Sequence, residues 1–399
     1  MTQLARPGIP RGLHSRAGRG LRLRRGFAAA CAAAGGALVL CAGTALAPTP
    51  ALAYDESRPE VKAFIDEVAA RNRLDRDWVA KLVTGAEFRQ PIIDLMSRPA
   101  ERVRPWFQYR THFLTERRIR EGREFLAVHR DALEDVSRRY GVPAEIIVAI
   151  VGVETFYGRI TGSFRVIDAL ATLAFDFPAR APYFRGELEQ FLLLVREAKI
   201  DPLKATGSYA GAMGAPQFMP RSYRNFAVDG DADGGIDLWT DWRDVFESVA
   251  NYMVEHGWRR GEPIYATADL FYPGVEGLVA GRLELAHTVD SLAGRGVTFE
   301  TRLPGETRAM FVALRGEDGP TYRVGFNNFW VITRYNRSQM YALAVSELAE
   351  AIAAEPAPVA PEVATPAEGF VPPPAPAATP PAAPAPGAAT GATGAAAAQ

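Results

Sequence analysis

Apolar positions between residues 143 and 158 recur on every side of a helix. Ile146, Ile147, Val148, Ala149, Ile150, Val151 and Val153 leave no solvent-facing stripe. A helix of that kind sits inside a sizeable core with other elements packed around it. The spacing elsewhere is also mostly helical. Val61, Phe64, Ile65 and Val68 follow Ser57-Arg58-Pro59-Glu60, which reads as a capping box with Pro in the first turn. Further helices are predicted from Asp75 to Phe88, from Thr115 to Tyr140 as one long amphipathic element ended by Gly141, and near Asp168 to Ala174, Tyr183 to Ala198, Asp244 to His256 and Ser338 to Ala353. Two stretches break the period. Gly207 to Pro220 is too rich in Gly, Ala and Pro for an ordinary core element; such residues suit either a groove wall that a ligand approaches closely or a tightly packed loop. From about 262 to 334, the β-branched and aromatic runs Thr307 to Leu314 and Tyr322 to Thr333 flank a Gly-Glu-Asp-Gly turn and predict a small antiparallel β subdomain. The pattern predicts an α+β chain, mainly α, over residues 54–353.

The two ends depart from this folded pattern. Residues 1–53 read as an export signal: seven Arg and no acid precede residue 26, an almost wholly small or apolar stretch follows, and Ala45-Leu46-Ala47 and Ala51-Leu52-Ala53 are small-x-small cleavage sites. Arg24-Arg25-Gly26-Phe27 resembles a twin-arginine signal without its flanking residues, so the general secretory route stays open. Leu40 before Cys41 is a poor lipoprotein site and argues against a lipid anchor. Both cysteines, Cys31 and Cys41, fall in this leader, which excludes disulfides and thiol chemistry from the mature chain. Removing the leader's seven Arg from 45 basic residues leaves 38 against 46 acids, a charge that speaks against nucleic acid as a partner. Residues 354–399 are Pro and Ala with few apolar positions, the composition of a disordered tether. No second apolar run is long enough for a transmembrane helix.

One carboxylate and one acidic loop carry the candidate chemistry. Glu154 ends the all-apolar helix, where burial and the helix dipole both raise its pKa, as a general acid requires. The plainer alternative is a buried Glu satisfied by an Arg or by backbone. Asp229, Asp231, Asp233 and Asp237 stand at positions 1, 3, 5 and 9 of a loop with Gly234 at 6, Gly235 at 7 and Ile236 at 8, an EF-hand-like run over 229–241 suited to structural Ca²⁺. Position 12, where a bidentate Glu belongs, is Thr240, with Asp241 or a water as the expected stand-in; the plainer alternative is an acidic turn closed by hydrogen bonds. The histidines are scattered and neither a nucleophile elbow nor a phosphate loop occurs, so no catalytic cofactor is expected. Asp168 and Asp176, at the ends of an apolar helix, read as caps.

Gly152-Val153-Glu154-Thr155-Phe156-Tyr157-Gly158, Gly162-Ser163-Phe164-Arg165-Val166, Phe184-Arg185-Gly186-Glu187-Leu188, Gly207 to Pro220, Ser248 to Tyr252 with His256-Gly257-Trp258, and Arg334-Tyr335-Asn336-Arg337-Ser338 together closely resemble the membrane-bound lytic transglycosylase B family of murein-degrading enzymes. The resemblance runs from about residue 57 to 353. It implies a lysozyme-like core with added helices and a small β subdomain, a calcium-binding EF-hand-like loop, and peptidoglycan glycan strands as substrate. It also implies that a single Glu, matching Glu154, protonates the β-1,4 bond between N-acetylmuramic acid and N-acetylglucosamine. The same group then acts as base while the muramic C6 hydroxyl closes a 1,6-anhydro ring. By motif, Ser208, Gln217, Tyr109, Tyr335 and Asn336 would line the groove. A muramidase using water, or a non-catalytic murein-binding scaffold, are the competing expectations. The reading places the chain in the periplasm, with the tail reaching cell-wall partners.

Overall fold

Helix boundaries follow capping chemistry wherever a side chain can reach the first-turn amides. In the computed structural model, α1 (Pro59–Asn72) and α2 (Arg76–Thr84) form a short pair, and the Asp75 carboxylate caps α2 through the Trp78 N–H. The structure describes residues 53–354, apart from 98–103, 199, 272–273, 275–276 and 280–281. The leader and the Pro/Ala-rich tail therefore lie outside the described residues. The expected capping box at α1 does not form: Ser57 donates to Asp55, Glu60 accepts from the Arg58 guanidinium at 2.8 Å, and the cap residue Arg58 contributes no side-chain bond. The second helix stops at Thr84 rather than Phe88, because Glu87 is drawn away to bridge Ala53 and to donate its N–H to Asp168.

After α3 (Gln90–Ser97) and α4 (Trp106–Phe113), the predicted single helix 115–140 is two: α5 (Glu116–Val128), capped by Thr115, and α6 (Arg130–Tyr140). The break is at His129, whose ring lies 4.5 Å from Phe125, 5.5 Å from Trp242 and 5.4 Å from Phe246. Packing in that aromatic cluster outweighs one helical turn. Gly141, at φ 74°, ends α6 as expected.

The all-apolar helix is α7 (Ala144–Thr155), with Ile146, Ile147, Val148, Ile150 and Val151 essentially inaccessible. It touches α5 and α6 and, further along the chain, α11 (Trp242–Glu255) and α14 (Gln339–Ala353). Burial of each such aliphatic chain contributes about 1.5–3 kcal/mol, so α7 is the spine of the core. Between α7 and α11 the chain forms β1 (Phe164–Arg165), α8 (Val166–Asp176), α9 (Ala181–Glu197), β2 (Thr206–Gly207) and α10 (Pro220–Phe226), with β1 and β2 paired antiparallel. Asp168 is no cap. At 1 % exposure it accepts from Glu87 N–H at 2.9 Å, from Arg89 at 3.2 Å and from Arg165 at 2.8 Å. Asp176 likewise bonds the Tyr54 hydroxyl and Arg58.

The β subdomain is a five-stranded antiparallel sheet. Its strands are β3 (Tyr265–Leu270), β4 (His287–Thr288), β5 (Val297–Phe299), β6 (Arg308–Arg315) and β7 (Pro320–Gly325), in the order β4-β6-β7-β3-β5, with α12 (Val289–Ala293) between β4 and β5. Period-two alternation splits β6 between two cores: Met310 and Val312 join the main core, while Ala309 and Phe311 join a satellite core with Leu292, Val324 and Phe326. The run Tyr322 to Thr333 is not one strand. It ends as β7 at Gly325 and continues as α13 (Asn327–Tyr335), a buried apolar stretch whose periodicity alone does not separate strand from helix. Asn328 secures the junction by donating to the Arg259 and Glu262 carbonyls at 2.8 and 3.0 Å.

Candidate functional site

Glu154 is the penultimate residue of α7, half-buried where the helix gives way to an unusual turn. Phe156, Tyr157 and Gly158 all take left-handed backbone, at φ 52°, 61° and 80°, so the helix ends at Thr155 and the chain turns away through three such residues in a row. Two non-glycine residues in that region are strained, and tertiary contacts must hold them. Thr155 donates to the Ala215 carbonyl at 2.8 Å and accepts from Gly158 N–H at 3.0 Å. Tyr157 donates to the Arg118 carbonyl at 2.7 Å, and its ring folds back over Gly152, where a Cβ would lie 2.6 Å from a ring carbon. Three guanidiniums, of Arg117, Arg118 and Arg159, sit 4.9–5.5 Å from the Phe156 ring.

Desolvation pushes the Glu154 carboxyl up to about 7, against a smaller downward pull from Tyr341, whose hydroxyl donates to Oε1 at 2.6 Å. No cation and no second carboxylate among the described residues acts on it comparably. The alternative of a Glu neutralised by an Arg is therefore not what the fold builds. Tyr341 itself is buried at 2 % exposure in the first turn of α14, which Ser338 caps. Its ring stacks against Tyr335 at 6.4 Å and 9°, and Tyr335 donates to the Pro216 carbonyl at 2.6 Å. Burial, then the charge of Glu154, raises Tyr335 and Tyr341 well above the usual phenol range and Tyr109 to about 12, so all three remain protonated donors. A desolvated carboxyl with one phenol donor at the end of an apolar helix can give and retake one proton at near-neutral pH.

The loop 207–220 forms the facing wall. It is held by bridges from Met213 to Gly207 and to Phe218, and by the Gln217 amide, which donates to the Thr161 and Gly214 carbonyls, both at 3.0 Å. Gly162 and Gly207 allow the two walls to meet: a Cβ on Gly162 would lie 2.1 Å from the Gly207 carbonyl oxygen, and one on Gly207 would lie 2.2 Å from that of Ala212. Of the residues anticipated from sequence, Tyr109 and Tyr335 fall within the field of Glu154, and Gln217 is joined to it through the Thr155–Ala215 and Tyr335–Pro216 bonds. The Ser208 hydroxyl accepts from the Ala210 and Ala212 amides inside its own loop, and Asn336 is exposed at the end of α13. Tyr341 was not anticipated; a single Tyr three residues beyond a helix cap carries no sequence signal of its role.

The acidic loop is closed by hydrogen bonds to its own carboxylates: Asp229 accepts from Asp233 and Gly234 N–H, Asp233 from Gly235, and Asp237 from Trp239 and Thr240. Among the described residues the carboxylate oxygens that converge within 4.8 Å of one another belong to Asp229, Asp231 and Asp244. Asp241, the expected stand-in, instead caps α11 through the Arg243 and Asp244 amides. Asp244 reaches the loop from the first turn of α11, where it is buried and also accepts from Gly230 and Asp237 N–H at 2.7 and 2.6 Å. Desolvation and the neighbouring Asp241 and Asp231 raise its pKa despite those amides. Oxygens on one Ca²⁺ at about 2.3–2.6 Å lie at most about 5 Å apart, so this donor set fits a hard cation that would relieve the repulsion.

Comparison with known proteins gives a consistent result. The chain matches the family described as Transglycosylase SLT domain over residues 56–350. It is 40 % identical over 306 residues to the membrane-bound lytic murein transglycosylase B of Escherichia coli strain K12, across 74 % of this chain and 83 % of that one. The crystal structure of soluble lytic transglycosylase SltB1 from Pseudomonas aeruginosa matches with a TM-score of 0.71 at 46 % identity, covering 74 % of this chain and 98 % of that one. The Escherichia coli lytic transglycosylase Slt35, solved in complex with calcium, matches with a TM-score of 0.68 at 39 % identity, over 76 % and 96 %. With most of its described residues inside that match and the lysozyme-like helical core in place, the chain belongs to the transglycosylase SLT-domain family of lytic transglycosylases.

Proposed function

We propose that this chain cleaves the β-1,4 bond between N-acetylmuramic acid and N-acetylglucosamine in peptidoglycan, with Glu154 as both acid and base. The observation that carries the reading is the desolvated Glu154 carboxyl with its Tyr341 donor and, among the described residues, no carboxylate partner. A retaining hydrolase needs a second carboxylate at about 5–5.5 Å, and an inverting one a base further off to activate water. An internal hydroxyl needs neither. Glu154 gives its proton to the glycosidic oxygen as the bond from the muramic C1 breaks, and N-acetylglucosamine leaves with a free 4-hydroxyl. The carboxylate then takes the proton of the muramic C6 hydroxyl as that oxygen bonds C1, which closes the anhydro ring and returns Glu154 to its acid form. Tyr341 steadies the carboxylate between the two steps. Ser208, Gln217, Tyr109, Tyr335 and Asn336 serve as groove residues.

This reading has a definite pH signature. Only protonated Glu154 can start the reaction, so the rate falls as pH rises through about 7. Tyr341 lowers the Glu154 pKa, so Tyr341→Phe shifts that alkaline limb upward while reducing the maximal rate about ten-fold through loss of positioning. A pH–rate profile of the two proteins checks both effects; a limb that stays in place removes Tyr341 from the proton's environment.

The acidic loop holds structural Ca²⁺ through Asp229, Asp231 and Asp244, with Asp233, Asp237 and the Gly235 carbonyl in the same turn. The ion fastens the loop to α11 and hence to the back of the groove. At a calcium concentration about 100-fold above Kd, binding contributes about 2.7 kcal/mol. Melting temperature is therefore expected to rise with millimolar calcium and fall with chelator in the native chain. Asp244→Asn should melt alike in both; an equal calcium response in that variant would remove Asp244 from the site.

The chain acts outside the cytoplasmic membrane, in keeping with its arginine-rich leader. No helix among the described residues is long and apolar enough to cross a membrane.

A further inference from the structure

Arg118 stands where two segments that flank Glu154 meet. One is α4, whose Tyr109 feels the charge of Glu154; the other is the left-handed turn 156–158 that follows it. The last carbonyls of a helix lack partners within it, and a nearby guanidinium can take them up. Arg118, in the first turn of α5, donates Nη1 to the His112 carbonyl of α4 at 2.6 Å. The same guanidinium lies 5.3 Å from the Phe113 ring and 4.9 Å from the Phe156 ring. Phe113 in turn packs on Tyr109, with ring centroids 5.1 Å apart. Main chain completes the junction: the Arg118 carbonyl accepts from the Tyr157 hydroxyl, and its N–H donates to the Thr115 cap at 3.1 Å. One residue thus holds the end of α4, the start of α5 and both strained residues of the turn.

Its neighbours are held differently. Arg117 and Arg159, the other guanidiniums at Phe156, both pair with Glu121. Arg118 is half-buried and directs its bonding to a carbonyl and two ring faces; desolvation and then Tyr157 act on its charge, and its Nε is buried without an acceptor among the described residues. An orphaned buried donor is a cost to the fold, so what the residue contributes lies in the geometry it fixes. That geometry bears on Glu154 through solvent. Desolvation is the leading cause of the raised Glu154 pKa, and the titratable groups that face the carboxyl are Tyr109 on α4, Tyr335 on α13 and Tyr341 on α14. Arg118 is not among the groups whose charge acts on it, so its route to Glu154 is positional.

We propose that Arg118 is a positioning residue for the reaction, clamping α4 to the turn after Glu154 so that the carboxyl stays screened from water. The proposal rests on the reading of Glu154 as acid and base.

Arg118→Met keeps the apolar stem and removes the guanidinium; Arg118→Lys keeps a cation and a donor for the His112 carbonyl. Opening the clamp admits water, which favours the charged carboxylate and lowers its pKa. Arg118→Met is therefore expected to reduce kcat about ten-fold with KM within about two-fold, and to move the alkaline limb of the pH–rate profile down by about 0.5–1 pH unit. Arg118→Lys should recover most of both effects. Phe113→Leu, which removes one ring from the clamp, should move the limb the same way and carries the test if Arg118→Met does not fold. A lowered melting temperature with the limb unmoved makes the residue structural only and overturns the proposal. So does an upward shift, the sign of a guanidinium charge acting on the carboxyl directly, or a rise in KM at unchanged kcat, the sign of a substrate contact. Titration of the Glu154 carboxyl carbon by ¹³C NMR needs no substrate and separates the clamp from the activity. A lowered pKa in Arg118→Met, with a native chain that cleaves no murein, leaves the clamp standing and removes the activity; an unchanged pKa overturns the clamp whatever the activity.

Discussion

Glu154→Gln is expected to lower murein cleavage by about 10²–10⁴-fold or more, the range for loss of a positioned general acid, while leaving the fold intact. Gln keeps the shape and still accepts from Tyr341 but cannot deliver a proton. The stability side of the substitution has a definite sign. An acid whose pKa rises from 4.5 to about 7 on folding holds its proton longer in the native state. Native stability from that group is therefore retained below about 4.5 and lost as pH rises toward 7. At pH 8 the Gln variant should melt at or above the native temperature, and an inactive variant that melts as well as the native protein is a loss of chemistry and not of structure. Product masses complete the test, because anhydromuropeptides weigh one water less than hydrolysed ones. Hydrated products from the native enzyme would turn the assignment to a muramidase. Undiminished clearing of sacculi by the variant would sink the role of Glu154.

Asp168→Ala should produce the largest loss of stability among single changes near the groove, about 2–4 kcal/mol. Removing one member of a buried pair costs about 3–5 kcal/mol, and the partial exposure of Arg89 at 40 % and Arg165 at 24 % reduces this. The Glu87 N–H, which Asp168 satisfies, is left without its acceptor. The melting temperature should fall by about 3–6 °C for a domain of this size. Asp168→Asn, which keeps an acceptor, should lose roughly half as much. Because Asp168 ties Arg165 of β1 to the segment around Glu87, and β1 pairs with β2 just before Ser208, the damage should extend to the loop wall of the groove. A melting temperature within about 1 °C of native for the Ala variant would show that this hub is not structural.

Local pattern located the elements well where one face or no face met water. The all-apolar stretch 146–151 and the spaced Leu188, Phe191, Leu192 and Val195 pointed to core, and all are buried except Val195, which is half-buried against it. The same reasoning joined α5 to α6 and extended β7 through Thr333, because His129 and the 322–333 run are decided by neighbours from distant sequence: Trp242 and Phe246 for one, the 257–262 segment for the other. The capping box failed similarly, since Arg58 and Ser57 found other partners. In the acidic loop, spacing pointed to Asp229 and Asp231 but could not select Asp244 over Asp241. That choice depends on which of two neighbouring carboxylates faces the loop once α11 forms.

The sequence by itself determined that Glu154 would end a buried helix and that residues 54–399 hold no cysteine, because hydrophobic period and composition are local and need no partner. It also carried the family blocks around that residue. Only the tertiary structure decided what surrounds the carboxyl: Tyr341 from 187 residues away as its donor, no opposing carboxylate among the described residues, and strained backbone at Phe156 and Tyr157 held by Ala215 and Arg118. The reason is that a pKa near 7 arises from desolvation by groups distant in sequence, and their convergence is a property of packing that no residue spacing encodes.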